Sequence, residues 1–275
     1  MIKMIATDID GTLANSESKL NPRTRDRLIE AQKQGIKLVI ASGRPAFSMQ
    51  RYVDELEMAK YGGLIVSFNG AQINDCSTGE TLYQKTISLD ETRQVIEHVQ
   101  NYDVIPTVTI GKYMYVNKDN VNRIYMKSLG MDIVDYEVVT GDLVQKVVDD
   151  LPESITQPVN KILVAGVPSY LQEHYKELSA PFSDLNAVFT ADHYYEFNRK
   201  NVDKATALEY ILPKLGYSKD DLVAFGDGQN DMTMLQYAST GVAMENANDE
   251  VKNIADQVTL TNDKDGIAEF LDNNL

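Results

Sequence analysis

The chain has 275 residues, 43% hydrophobic and 24% charged, the make-up of a globular protein with one large domain or two ordinary ones. Its formal charge of −15 argues against a basic, phosphate-tracking face for nucleic acid, and its single cysteine, Cys76, excludes an internal disulfide framework. With no apolar run long enough to span a bilayer and no signal-like N-terminus, no membrane partner is expected and the expected compartment is cytoplasmic. Such an acidic chain can still handle a small anion. Repulsion is screened beyond about 8 Å at physiological salt, so a cation and one or two basic side chains suffice locally.

The first 70 residues predict β-α-β-α-β. Residues 1–7 read as a strand. Asn21 and Pro22 supply an N-cap and a first-turn proline for a helix through Gln34, which Gly35 ends. Residues 36–41 form a second strand, a helix begins at Pro45, and residues 63–67 form a third strand. Near-continuous aliphatic strands alternating with amphipathic helices imply a parallel sheet covered on both faces. After Asn69-Gly70 the pattern changes. From about 82 to 197, strands alternate apolar with polar residues, as in Tyr113-Met114-Tyr115-Val116 and residues 160–165, with helices at 91–100 and 170–177. Half-solvated strands suggest a separate α+β layer. The first pattern resumes near Asp203, with helices at 204–215, 231–238 and 249–255 and from Gly266. Strands at 222–225, 241–244 and 257–260 lie between them. The economical reading is an α/β doubly wound core over residues 1–83 and 196–275, split by an inserted domain at 84–195.

Chemistry concentrates at the strand ends. Asp8-Ile9-Asp10-Gly11-Thr12 follows an apolar run, and carboxylates at i and i+2 of an extended segment share a side. Gly226-Asp227-Gly228-Gln229-Asn230-Asp231 follows a second apolar run far downstream. Two acidic clusters at strand ends suggest a hard-cation site and phosphate chemistry. Ser42-Gly43-Arg44 and Asn69-Gly70 also end strands, and Lys204 opens a helix near the same edge, where ligands of open parallel sheets bind.

These motifs resemble those of the haloacid dehalogenase-like phosphatase superfamily. The whole chain is similar to its Cof-type branch, in which a large α/β cap is inserted between the second and third motifs. The resemblance implies a Rossmann-like core and an aspartyl-phosphate formed on Asp8, with Asp10 as general acid and base. It implies that Lys204 neutralises phosphoryl charge and holds the nucleophile. Thr12, Ser42 (through hydroxyl and backbone N–H), Gly43, Arg44, Asn69 and Asn230 become phosphate or substrate contacts. Arg44 is equally readable as a solvated charge, and Asn69 as a secondary contact. Mg²⁺ is the implied cofactor, held by Asp8, Asp10 through its carbonyl, Asp227 and Asp231. Asp231 could instead orient a water or hold Lys204. The family surrounds this lysine as Gly-Val-(Ser/Asp)-Lys-Gly, whereas Asn201-Val202-Asp203-Lys204-Ala205 lacks both glycines.

The implied function is Mg²⁺-dependent hydrolysis of phosphomonoesters of small metabolites, hexose phosphates favoured, by a monomer or small homo-oligomer. One alternative is a sugar phosphomutase of the same superfamily, which needs cap arginines for a second phosphate. Arg93, Arg123 and Arg199 do not cluster in sequence. Another is a non-catalytic protein that binds a phosphorylated metabolite. His98, His174 and His193 lack metal-ligand spacing and read as structural, the 15 tyrosines read as packing, and Asn246 receives no role.

Overall fold

The computed structural model describes residues 2–128 and 130–275; Met1, expected to open the first strand, lies outside them. The chain divides into two compact units. One runs to Gln84 and resumes over Val202–Leu275, and the other is Lys85–Asn201.

The first unit is built on an eight-stranded sheet. In spatial order its strands are Gln257–Val258, Thr240–Ala243, Leu222–Gly226, Met4–Thr7, Lys37–Ala41, Leu64–Ser67, Gln72–Asp75 and Thr81–Gln84. The first six run parallel, and the last two are antiparallel additions. Every residue of Met4–Thr7 is buried, because this strand sits mid-sheet with helices on both faces. Alternate residues serve opposite faces. Ile5, Leu38, Ile40, Val223 and Phe225 pack with Leu28, Ala31, Phe270 and Leu271 of the helices Pro22–Lys33 and Gly266–Asn274. Met4, Ala6, Val39, Leu222 and Ala224 pack with Ala207, Leu208, Met234 and Leu235 of Lys204–Ile211 and Met232–Tyr237. Phe225 is fully buried with its ring edge-on to Phe270 at 5.2 Å. Truncating it to alanine would cost on the order of 3–5 kcal/mol.

Local chemistry explains the departures from expectation. Asn21 precedes the first helix without capping it, since its amide N–H donates to the Asn262 carbonyl and its Oδ1 accepts from Asn15. The helix expected from Pro45 is broken into a 3₁₀ turn at Ala46–Met49 and short helices at Gln50–Glu55 and Met58–Tyr61. Pro213 ends the Lys204 helix at Ile211, because it has no N–H to offer the preceding turn. Asn69-Gly70 lies in the turn of a hairpin, with Ser67 facing Gln72, which adds the two antiparallel strands.

The second unit is a six-stranded sheet ordered Val144–Val148, Tyr113–Asn117, Ile105–Ile110, Lys161–Ala165, Tyr194–Arg199 and Leu185–Ala191. Its pairings are antiparallel apart from the first. One face, carrying Val108, Ile162, Val164, Tyr195 and Phe197, packs with Val95, Ile96 and Val99 of Leu89–Val99 and with Leu171 and Leu178 of Pro168–Ser179. A capping box between Ser88 and Glu91 starts the first of these helices. Glu91 also accepts both prongs of the Arg199 guanidinium, at 2.8 and 3.0 Å.

Candidate active site

Parallel pairing brings the two acidic motifs together. Thr7 lies beside Phe225 in register, so the residues that follow, Asp8 and Asp227, leave the same sheet edge side by side. The Asp8 N–H donates to the Phe225 carbonyl at 3.1 Å and extends the ladder one step. Gly11 then turns the chain at φ +78°, and a Cβ here would overlap the Asp227 carboxylate. Glycine is required on both counts. Thr12, expected to meet a phosphoryl oxygen, donates its hydroxyl to Asp227 Oδ1 at 2.6 Å and so fixes that carboxylate.

Lys204 is fully buried, a cost that only tight pairing offsets. Its Nζ donates to Asp8 Oδ1 at 2.6 Å and to Asp231 Oδ1 at 2.5 Å. Asp231 uses its other oxygen to accept the N–H groups of Asp227 (3.0 Å) and Gly228 (2.9 Å), so it ties the lysine to its own loop. Asp8, Asp227 and Asp231 each place a carboxylate oxygen within 4.8 Å of the others, the spacing of a divalent-cation site. Burial pushes the Asp8 carboxyl up to about 7, against the pull of Lys204 and with the help of Asp231 and Asp227. Burial also raises Asp227, opposed by the Thr12 hydroxyl. Burial pulls Lys204 down, but Asp8 and Asp231 outweigh it and hold the ammonium above its ordinary range.

Neither missing glycine is needed around Lys204. Asn201 takes the left-handed conformation itself, at φ +56°, as asparagine can. Asp203 caps the helix by accepting from the Thr206 N–H (2.7 Å) and hydroxyl (2.9 Å). The close approach is carried instead by Gly70, where a Cβ would overlap the Asp203 carbonyl.

The Ser42 backbone N–H was expected to reach phosphate, but it is consumed by the Val66 carbonyl at 2.9 Å, leaving only the hydroxyl. The next helical turn starts at Ala46 and is 3₁₀, so no helix terminus focuses positive potential on Ser42. Arg44 is neither free nor aimed at bulk water. Its Nε and Nη2 grip both oxygens of Asp10, at 2.8 and 2.6 Å. Asn230 donates its amide to Asn69 Oδ1 at 3.1 Å. Asp8, Asp10, Asp227, Ser42, Arg44 and Asn230 wall a cavity of about 250 Å³ that Gly43 and Gly228 complete.

Asn246 has a task that its sequence context does not announce. Its amide donates to the Gly11 carbonyl at 2.7 Å and its Oδ1 accepts from the Asn262 N–H at 3.1 Å, tethering the turn that carries Asp10 and Thr12. Two signals were available: the likeness of Met244-Glu245-Asn246-Ala247 to a family segment with glycine in place of Glu245, and its place just after a strand that ends at the same edge. His98 and His174 bond backbone carbonyls of Glu177 and Tyr170, within aromatic clusters. Burial pushes the Cys76 thiol up to about 12, which disfavours the reactive thiolate.

A family profile for haloacid dehalogenase-like hydrolases matches residues 5–271. A 5-amino-6-(5-phospho-D-ribitylamino)uracil phosphatase of Bacillus subtilis is 29% identical over 274 residues, covering 98% of this chain and 96% of its own. A second B. subtilis phosphatase is 27% identical over 286 residues, covering 98% and 99%. The crystal structure of a haloacid dehalogenase-like hydrolase from Bacteroides thetaiotaomicron superposes over 100% of both chains, with a TM-score of 0.91 and 32% identity.

Proposed function

The chain belongs to the haloacid dehalogenase-like hydrolase family, and from that premise we propose that it is a Mg²⁺-dependent phosphomonoesterase acting through an aspartyl-phosphate on Asp8. The observation that carries the reading is the fully buried Lys204 bridging Asp8 and Asp231, with Asp227 at ligand spacing. No ordinary structural role calls for an ammonium and three carboxylates gathered at a sheet edge.

The donor set fits a hard cation, being carboxylate and carbonyl oxygen only. Asp8, Asp227 and the Asp10 carbonyl would hold Mg²⁺, whose contribution when bound is to offset charge on the phosphoryl oxygens. Asp231 would act through Lys204 and the Asp227 loop, since both its oxygens are engaged there. Lys204 occupies Asp8 Oδ1, so the attack would come from Oδ2. That oxygen forms a bond to phosphorus as the ester P–O bond breaks, and Asp10 gives a proton to the departing alkoxide. Asp10 then takes a proton from the water that attacks the aspartyl-phosphate, releasing inorganic phosphate and restoring Asp8. The Ser42 hydroxyl and the Asn230 amide, both lining the cavity, would meet phosphoryl oxygens.

Sugar phosphates remain the first choice of substrate. The phosphoribityl compound named for one relative belongs in the same panel. A phosphomutase is disfavoured by the second unit, whose arginines are already committed. Arg199 is paired with Glu91, Arg93 bonds the Pro152 and Ile155 carbonyls, and Arg123 bonds Asn120 and Asp103. The test is phosphate release from hexose phosphates and phosphoribityl esters, with and without Mg²⁺, in wild type and Asp8→Asn. Loss of turnover in the variant and without metal is expected. An asparagine variant with full turnover rules out the covalent route, and isomerised hexose phosphate in place of inorganic phosphate would restore the mutase.

A further inference from the structure

Phe68, Asn69 and Gly70 adopt three consecutive positive φ angles, +52°, +54° and +104°. Glycine does so freely and asparagine tolerates it, but a bulky aromatic such as Phe68 in this region is uncommon. Strain of this kind persists where the surroundings over-determine it. Here the surroundings are three segments that converge on the phosphate cavity. The Phe68 and Asn69 N–H groups donate to the Arg44 and Ser42 carbonyls, at 3.1 and 3.0 Å. A Cβ on Gly43 would lie 3.1 Å from the Asn69 amide, so that side chain is packed closely against Gly43. Asn69 Oδ1 receives the Asn230 amide, and Gly70 abuts the carbonyl of Asp203, next to Lys204.

We propose that this strained turn is a positioning element that sets Ser42, Lys204 and Asn230 at the spacing a phosphoryl group requires. Asn69 then acts through its neighbours. It stands outside the cavity wall, which Gly43 and Asn230 form in front of it. This deepens the phosphatase reading and rests on it. The turn cannot shift without moving its neighbours: Phe68 and Asn69 are bonded to the loop after Lys37–Ala41, the Asn69 side chain to Asn230 in the loop after Leu222–Gly226, and Gly70 lies against Asp203 at the start of the Lys204 helix.

The strain makes the idea separable from a merely structural role. In Asn69→Gly the left-handed conformation becomes natural while the Asn230 contact and the packing on Gly43 are lost. A structural role predicts that stability and function fall together. The positioning role predicts that they part. Melting temperature in Asn69→Gly should hold or rise, while Mg²⁺-supported affinity for vanadate, measured by calorimetry, drops about tenfold to a hundredfold. Turnover should fall alongside. Unchanged vanadate affinity in Asn69→Gly overturns the proposal, as does a variant that loses stability and affinity in parallel. An Asp8→Asn enzyme that still turns over overturns the covalent route alone. A wild type that binds no vanadate overturns both.

Discussion

At the scale of single residues, charge pairing in a buried place decides most outcomes. Removing the Lys204 ammonium leaves the Asp8 and Asp231 carboxylates facing one another out of water. Lys204→Ala should lose about 3 kcal/mol of stability, the cost of breaking a buried pair. Urea unfolding followed by circular dichroism checks this. Part of the loss should return in saturating Mg²⁺, because binding to the folded state alone stabilises by mass action. Arg44 makes a different point. Its fork matches both oxygens of Asp10, and lysine, with one charge and no fork, cannot. Arg44→Lys should therefore lower kcat about tenfold with KM little changed, as expected when a proton donor is misaimed rather than substrate released. Steady-state kinetics on one ester decides it.

Elements add constraints that single side chains cannot. Gly70 has both a positive φ and the Asp203 carbonyl against it, so Gly70→Ala must either strain the turn or push the Lys204 helix away. Here stability and turnover should fall together, by about 1–3 kcal/mol in stability for the backbone strain, in contrast to the neighbouring Asn69→Gly. In the second unit, Arg199 and then the Ser88 hydroxyl hold the Glu91 carboxyl below its ordinary value. A depressed carboxylate stabilises the fold above its unfolded pKa and ceases to do so as pH falls through the folded one. Glu91→Gln should thus cost stability at pH 7, under about 1 kcal/mol for a pair this exposed. The difference should close as pH falls below the usual glutamate pKa, near 4.3, and through the depressed folded one; urea midpoints at pH 7 and at acid pH test this.

Across the whole molecule, the legible part was what period and punctuation record. The aliphatic strands 36–41 and 222–225 and the return of the pattern near Asp203 announced a doubly wound core, and the matching family and superposed hydrolase share it. That Asp8 and Asp227 would meet was also readable, because adjacent parallel strands deliver their carboxyl ends to one edge. The two antiparallel strands after Ser67 were missed, since the two-residue hairpin signal of Asn69-Gly70 was set aside in favour of a secondary substrate contact. Who donates to whom was not legible either. Nothing local reveals that the Ser42 N–H is spent on Val66, or that Asn246 reaches back to Gly11. Those partners are far away in sequence, and register alone brings them within reach.

Among the described residues, the carboxylates of Asp8, Asp10, Asp227 and Asp231 around the cavity are paired with two cations, Arg44 and Lys204. With all four carboxylates ionised the formal remainder is two negative charges, which one divalent ion cancels. An empty site should repel a dianion and a loaded one should admit it, so loading order is written into the electrostatics. Protein stripped with a chelator should show no heat of inorganic phosphate binding, and the heat should appear once Mg²⁺ saturates. Phosphate binding of equal strength in the stripped protein would mean that the two positive side chains already suffice.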